Sequence, residues 1–228
     1  MLHIYAAIVL TLVTSSICSF HHKRDSCPEI WSTISATLVG DFVDSSTGQC
    51  TNLARGSIRA AFHDCGTWDT TQGATGGCDG SLLLSGEASR TENNGLAATI
   101  TYLQNLHDNT YSSVGVADFI QFAGAVGVVA CPGGPQITTL IGRTDSSTQP
   151  PAGLLPIATG EGSDATTLLT LFQNKGFDAI ELAALVGAHS CSKQQFEDPS
   201  EAGLPQDTTP GVCASRLIRK SMIISIVY

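Results

Sequence analysis

The chain has 228 residues, a formal net charge of −9 at neutral pH and a charged-residue content of only 14%. This length is enough for one large or two small domains with a buried core. An acidic chain without a basic run argues against nucleic acid as a partner, because phosphate backbones are bound by clustered lysines and arginines.

The N-terminus predicts a secretory signal peptide. Residues 4–13 form an apolar run that is too short to span a bilayer, and small residues follow it, so cleavage is expected near Cys18. Lys23 and Arg24 then offer a dibasic processing site. We therefore assign residues 1–24 to a signal peptide and short propeptide, and expect a secreted, extracellular protein without a membrane span. A membrane anchor at the same run is the alternative.

Hydrophobic periodicity in the remaining chain predicts helices joined by long polar connections. A Gly- and Thr-rich stretch at residues 66–80 breaks the pattern, and a Pro-, Ser- and Gly-rich stretch at residues 142–162 is the best internal boundary. Strand signals are few, so the predicted fold class is mainly α. The predicted helices lie at residues 30–38, 53–65, 94–107, 116–129, 164–175 and 178–191.

The most informative motif is RAAFHDC at residues 59–65, inside the second predicted helix. Residues four apart on a helix share a face, so Arg59 and His63 point to the same side, with Phe62 beside them. The imidazole can take a proton from one oxygen and return it to another, and the guanidinium can stabilise the charge that develops. Together these groups favour cleavage of a peroxide bond.

A second histidine, His189, lies at the end of an apolar predicted helix. A lone histidine in such a helix is usually a core residue with satisfied hydrogen bonds. The small neighbours Gly187 and Ala188 leave room for a flat macrocycle to approach. Haem iron is commonly held by one proximal histidine opposite a polar distal pocket, so His189 is a candidate iron ligand.

Five motifs in this order resemble the secreted haem peroxidases of the plant–fungal–bacterial superfamily, and residues 149–156 and 204–212 resemble the fungal class II branch most. The resemblance implies a two-domain helical fold with haem b between the domains and His189 on the iron. It places the distal domain at residues 25–150 and an incomplete proximal domain at residues 151–212. The motifs are RAAFHDC at 59–65, GCDGS at 77–81, CPGGP at 131–135, GRTD at 142–145 and GAHS at 187–190.

The resemblance also implies a role for each distal residue. His63 matches the acid–base catalyst, Arg59 the distal arginine and Phe62 the aromatic residue packed over the haem. Asn93 and Glu87 match the pair that holds the histidine in its working tautomer, Asn93 accepting from the ring and Glu87 ordering the network. A solvated loop is the alternative interpretation of these last two residues.

Two calcium sites are implied by the same resemblance, each built from oxygen ligands. The distal ligands would be Asp64, the Gly77 carbonyl, Asp79 and Ser81, where an ordinary turn is the alternative. The proximal ligands would be Ser190, Asp207, Thr209 and the Val212 carbonyl. Ala214 stands where the family has a last carboxylate, so the proximal site is expected to be weakened.

The resemblance implies two disulfides, Cys50–Cys131 and Cys65–Cys78. Elimination then leaves Cys27–Cys191 as a third candidate, with Cys213 unpaired. Secretion makes such bridges stable.

Two specialised oxidation sites of the family are missing their key residues. Asn52, Gly56 and Gln195 stand where a manganese site has carboxylates, and Ala184 stands where lignin-type enzymes carry a surface tryptophan. The donors are therefore expected to be small phenols or similar aromatics.

Residues 213–228 match nothing in the family, and the aspartate that normally bonds the proximal histidine is missing. Three hypotheses follow. The first is a monomeric extracellular peroxidase that uses hydrogen peroxide to oxidise small phenolic donors. The second is a catalytically impaired, truncated fragment that binds calcium or weakly binds haem. The third is a secreted interaction protein on a peroxidase scaffold.

Overall fold

The computed structural model describes residues 27–157, 164–194 and 199–206. Within these ranges the protein is helical, and its only β structure is two isolated bridges, Val43 with Cys50 and Lys193 with Pro205. This confirms the mainly α fold class. The helices are α1 Glu29–Phe42, α2 Asn52–Cys65, α3 Ser81–Leu84, α4 Ala97–Leu106, α5 Val116–Ala130, α6 Ala165–Asn174 and α7 Ala179–Val186.

Short 3-10 and π-helical turns make up the rest of the helical structure in the described residues. A π-helical turn, His107–Tyr111, extends α4. The segment predicted as one helix at residues 178–191 is instead α7 followed by a 3-10 turn, Gly187–Cys191. Glycine weakens the α-helix at this point, and the Ser190 hydroxyl donates to the Gly187 carbonyl over 2.8 Å, which favours the tighter turn. Other 3-10 turns are Glu87–Ser89, Thr91–Asn93 and Pro199–Glu201.

The core is centred on the crossing of α2 with α5, which is buried along almost its whole length. Two glycines of α5 allow the helices to approach closely. A Cβ at Gly124 would lie 2.5 Å from the Ala61 Cβ, and one at Gly127 would lie 2.7 Å from the Ala54 carbonyl oxygen. One face of α2 is therefore fixed against the core.

Two disulfides confirm the expected pairs. Cys50–Cys131 joins the start of α2 to the end of α5, and Cys65–Cys78 joins the end of α2 to the loop before α3. The predicted Cys27–Cys191 bridge is wrong, because Cys27 is free and exposed at the start of the described chain. Cys191 is buried and disulfide-bonded to a partner outside the described residues.

Helices α6 and α7 form a capped pair. The Asp164 carboxylate accepts from the first backbone amides of α6, and Asp178 forms a capping box with Glu181 at the start of α7. Gly176 lies between them with φ +95°, a left-handed conformation that favours glycine after a helix end. The pair carries His189 just beyond the end of α7.

No single helix in the described ranges is long and apolar enough to cross a membrane. One bent pair, residues 97–111 with 116–130, meets the length and composition criteria only when its two helices are taken together.

Candidate active site

Helix α2 presents the distal motif. Its first turn is capped by the Thr51 hydroxyl, which accepts from the Ala54 amide at 3.4 Å. The side of α2 turned away from α5 carries Arg59 and His63, whose side chains meet as predicted from their i,i+4 spacing. His63 is buried, with only 8% of its surface exposed.

The tautomer of His63 follows from its hydrogen bonds. Its Nδ1 lies 2.7 Å from the Asn93 Oδ1, while the Asn93 Nδ2 donates to the Glu87 carbonyl at 2.9 Å. Because this arrangement leaves Oδ1 facing the ring, and Oδ1 can only accept, Nδ1 carries the proton. Nε2 is then a lone-pair acceptor, and it receives the Arg59 Nε–H over 3.1 Å.

His63 is held neutral. Burial lowers its pKa to about 4, and the Arg59 guanidinium contributes in the same direction, while the hydrogen bond to Asn93 opposes them. A neutral imidazole with its Nε2 lone pair beside a fixed cation is a base oriented toward an anionic or proton-donating ligand.

The Arg59 guanidinium is anchored although its side chain is exposed. It donates to the Asn94 carbonyl at 2.8 Å and to the Glu92 carbonyl at 3.4 Å. These backbone acceptors lie in the same turn as Asn93. One short segment, residues 92–94, thus positions both the imidazole and the guanidinium.

Glu87 contacts this network through its backbone and not through its carboxyl group. The carboxyl group is almost fully buried and lies 3.4 Å from the Arg90 Nη1. Burial raises its pKa to about 7, and Arg90 opposes that shift. Arg90 was not singled out from the sequence. A basic residue three positions after Glu87 was the available signal, and it also donates to the Pro150 carbonyl at 2.6 Å.

Phe62 lies between the two halves of the described chain. Its ring meets the His63 ring edge-on, with centroids 5.8 Å apart, and it stacks on Phe172 of α6 at 6.3 Å and 7°. Offset aromatic contacts of this kind add packing energy beyond the buried area. Phe172 is a further residue that sequence patterns gave no reason to place here.

His189 lies in the 3-10 turn after α7, and its ring makes no hydrogen bond to the described residues. Desolvation lowers its pKa, and the Arg59 guanidinium lowers it further. The same cation therefore acts electrostatically on both His63 and His189. The structure brings the two histidines to one region although 126 positions separate them in the sequence.

The predicted distal calcium residues cluster at the end of α2. Asp64 is fully buried, and its carboxylate accepts from the Gly80 amide at 3.1 Å and the Leu82 amide at 3.3 Å. Burial raises the Asp64 pKa to about 7, and repulsion from Asp79 and Glu87 adds to the shift. No lysine, arginine or histidine of the described chain forms an ion pair with Asp64.

Ser81 supplies a second sign of an unmet interaction. Its hydroxyl oxygen is buried without a hydrogen-bond partner of ordinary geometry, although it is close enough to lower the Glu87 pKa slightly. Two carboxylates, a hydroxyl and the Gly77 carbonyl form a hard-oxygen set of the type that calcium prefers. In the described residues no group of three acidic, histidine or cysteine side chains is close enough to hold a metal, so such a site would depend on uncharged oxygens.

Gln121 also belongs to this cluster, although the sequence pattern did not predict it there. It is completely buried in α5, and its side-chain amide donates to the Ala61 carbonyl at 3.1 Å and to Asp64 at 3.4 Å. A polar residue inside an otherwise apolar helix was the signal that could have found it. Its amide oxygen has no hydrogen-bond partner among the described residues.

The proximal calcium set lies largely outside the described residues, which do not include Asp207, Thr209 or Val212. Ser190 is described, and its hydroxyl donates to the Gly187 carbonyl. The manganese-type position Gln195 is also outside the described part.

Comparison with known proteins agrees with the motif. Residues 39–215 match the sequence profile of the peroxidase family. The chain belongs to the peroxidase family. It is 30% identical over 180 residues to a versatile peroxidase of Pleurotus eryngii, covering 77% of this chain and 48% of that protein.

Two further relatives extend the comparison. Ligninase H2 of Phanerodontia chrysosporium is 33% identical over 223 residues, which cover 90% of this chain and 58% of the relative. A putative L-ascorbate peroxidase of Arabidopsis thaliana is 38% identical over 149 residues, covering 64% and 43%. The chain thus spans about half the length of the curated relatives it matches.

Proposed function

We propose that this chain carries the peroxide-cleaving site of an extracellular haem peroxidase that oxidises small aromatic donors. The observation that supports this most is the state of His63. Its Nδ1–H is fixed on Asn93, and its Nε2 is the unprotonated, basic nitrogen, which accepts the Arg59 Nε–H over 3.1 Å.

The residues present fit a haem. His189 offers an exposed ring without hydrogen bonds to the described residues. Desolvation, with the Arg59 charge, lowers its pKa and so favours its neutral, metal-binding form. Gly187 and Ala188 add little bulk beside it. When bound, haem would supply an iron that reduces peroxide and then accepts electrons from the aromatic donor.

The chain's own residues would then transfer the proton and stabilise the developing charge. His63 Nε2 would take the proton from one peroxide oxygen and deliver it to the other as the O–O bond breaks. The Arg59 N–H groups would stabilise the negative charge on the departing oxygen. Asn93 would keep the proton on Nδ1 throughout, so that Nε2 remains the reacting atom.

We further propose that the distal cluster binds calcium through Asp64, Asp79, Ser81 and the Gly77 carbonyl. Among the described residues, the buried Asp64 carboxylate has no counter-cation and the Ser81 hydroxyl has no hydrogen-bond partner, and both observations support this. Because Asp64 directly follows His63, a cation there would stabilise the helix end that carries the base.

Aromatic donors are proposed because the carboxylates expected of a manganese site are missing. Asn52 and Gly56 occupy two of its positions on α2. Ala184 on α7 occupies the position of the surface tryptophan. Secretion is proposed from the predicted signal peptide together with the two disulfides, which are typical of oxidising compartments.

The test is reconstitution of the full chain with haem, followed by its visible spectrum and peroxide-dependent oxidation of a phenolic dye. A haem spectrum with turnover supports the proposal. For substitutions of His63 in this assay, His107→Gln is the matched control. His107 is also a buried histidine, but its ring bonds Asp108 and the Val114 carbonyl, away from the site. Absence of haem binding would leave only the non-enzymatic fragment or the interaction protein.

A further inference from the structure

Lys175 places a buried ammonium group outside the site described above. Only 4% of the residue is exposed, and its Nζ donates to the Gly66 carbonyl at 2.7 Å and to the Trp68 carbonyl at 3.0 Å. Among the described residues no carboxylate lies within ion-pair distance of it. Burying an ammonium without a paired carboxylate costs free energy, so this location requires a structural or functional reason.

Both acceptors belong to the end of α2, the helix of His63. Gly66 closes that helix, because its amide donates to the Phe62 carbonyl at 2.6 Å. A cation is favourable at the carbonyl end of a helix. Asn174, the residue before Lys175, makes a second link to the chain after α2. Its carbonyl accepts from both the amide and the hydroxyl of Thr70, at 2.9 and 2.7 Å.

The position of Gly66 is confined from the other side as well. A Cβ there would lie 2.5 Å from Leu155 and 2.9 Å from the Phe62 carbonyl oxygen. Small shifts of this turn would therefore meet steric resistance on one side and break hydrogen bonds to Lys175 on the other. His63 lies only three residues before Gly66.

Lys175 is also connected along the chain to the segment of His189. It ends α6, Gly176 turns the backbone, and α7 begins after Asp178 and leads directly to the 3-10 turn that contains His189. One side chain thus joins the element of one histidine to the element of the other. The Phe62–Phe172 stack lies beside this link.

We propose that Lys175 is a positioning residue that fixes the last turn of α2 against the α6–α7 pair. Together with the bond from Arg55 of α2 to the Cys191 carbonyl, this link sets the spacing of His63 and His189. Its consequence for catalysis rests on the proposed function, in which His189 would hold the haem and His63 would act as the base. The link itself exists in the chain without haem and can be tested there.

The test is amide hydrogen exchange, followed by NMR on the full chain without haem, comparing Lys175→Met with the wild type. Loss of two charge-assisted hydrogen bonds is expected to raise exchange at Gly66, Trp68 and Thr70 by at least ~10-fold. Exchange at Ala60 and Ala61, which pack in the core, is expected to stay unchanged. The matched control is Lys193→Met, because the Lys193 side chain makes no such bonds to the described residues, and it should change none of these amides.

A second readout is rescue by a conservative variant. Lys175→Arg, which keeps cationic donors, should restore part of the protection. Unchanged exchange at residues 66–70 in Lys175→Met would overturn the proposal, whether or not haem binds.

The wild-type chain provides a test that needs no folded variant. If Lys175 joins the two elements, the amides of Gly66 and Thr70 should exchange in the same cooperative opening as the amides of α6. Exchange of these two amides in an independent opening of lower free energy would contradict the link.

Discussion

His63 and His189, the two histidines of the proposed site, have very different surroundings. Both ring nitrogens of His63 are engaged, one by Asn93 and the other by Arg59, and the residue is buried. The ring of His189 makes no hydrogen bond to the described residues and lies in a short 3-10 turn. The first histidine is held by contacts within residues 59–94. The second is placed by its connection through α6 and α7 and by the bond from Arg55 of α2 to the Cys191 carbonyl of its turn.

The difference shows which half of the site local sequence can build. The distal base is oriented by one helix and the turns that follow it, so its geometry is formed by the described chain alone. His189 is placed by a chain segment with two described links to the distal half. One is the bond from the Arg55 side chain of α2 to the Cys191 carbonyl, at 2.9 Å, and the other passes through Lys175, Asn174 and Phe172. Substitutions in the distal half and in the His189 half should therefore have different effects.

Removal of the distal base should have the largest effect. His63→Ala is expected to lower peroxide turnover of the haem-loaded chain by about 10²–10⁴-fold, because it deletes a general acid–base group. The haem spectrum should persist, since His189 is untouched. Stopped-flow kinetics of the reaction with peroxide would measure this, with His107→Gln as the control. Equal losses in both variants would show that general destabilisation and not chemistry causes the effect.

Removing the residue that orients His63, while keeping His63 itself, should lower turnover less. Asn93→Ala removes the acceptor that fixes the Nδ1–H tautomer, and a loss of about 10–100-fold in turnover is expected, as for other orienting partners of a histidine. Glu87→Gln is the informative comparison, because the Glu87 backbone carbonyl that orders Asn93 remains. A similar loss in Glu87→Gln would contradict the backbone role.

Calcium should stabilise the chain at the end of α2. A ligand that binds only the folded state adds about 2.7 kcal/mol to the unfolding free energy at 100 times its dissociation constant. Thermal unfolding in calcium and in chelator would measure the gain, and Asp64→Asn should remove it. Asp44→Asn is the control, since the Asp44 carboxylate only caps a surface turn. A gain that survives in Asp64→Asn would place the ion elsewhere.

Overpacking the α2–α5 crossing, which holds the helix of Arg59 and His63, should have the smallest effect on peroxide turnover. Gly124→Ala puts a Cβ 2.5 Å from Ala61, and overpacking of this kind costs about 1–3 kcal/mol of stability. Denaturant unfolding would measure it. Gly40→Ala, also within a helix, meets no atom within 4 Å and should be neutral or slightly stabilising. Equal effects would argue against a tight α2–α5 crossing.

Local patterns predicted the helices and the shared face of Arg59 and His63, because an i,i+4 relation is fixed by helix geometry. The pairing of His63 with Asn93 came from family resemblance, since no local rule joins residues 30 apart. The carboxyl of Glu87 turns to Arg90 instead of the histidine network, and the only local signal for this was the basic residue three positions after it.

Long-range contacts were the part that the sequence could not supply. The acceptors of Lys175 lie more than 100 residues before it, so no periodicity could reveal the link. The Cys27–Cys191 pair failed for a similar reason, because elimination among cysteines carries no information about distance. The 3-10 turn at His189 depends on a local competition between glycine and serine that helical periodicity does not register.

The pH dependence of His63 follows from its environment. Its folded-state pKa of about 4 lies below the ordinary value of 6.5, so the unfolded chain binds more protons between these pH values. This residue's contribution to stability is therefore expected to rise with pH from about 4 to 6.5 and to be constant above. Comparing denaturant unfolding of the wild type and His63→Gln across this range would detect the contribution.

The most direct test of the central claim is ¹⁵N NMR of the His63 ring in the full chain. At neutral pH, Nδ1 should carry the proton and Nε2 should show the chemical shift of an unprotonated nitrogen, with titration near pH 4. Arg59→Met should move that pKa upward while burial keeps it below 6.5. A proton on Nε2 in the wild type, or a titration near pH 6.5, would contradict a distal base that is oriented and neutral before peroxide arrives.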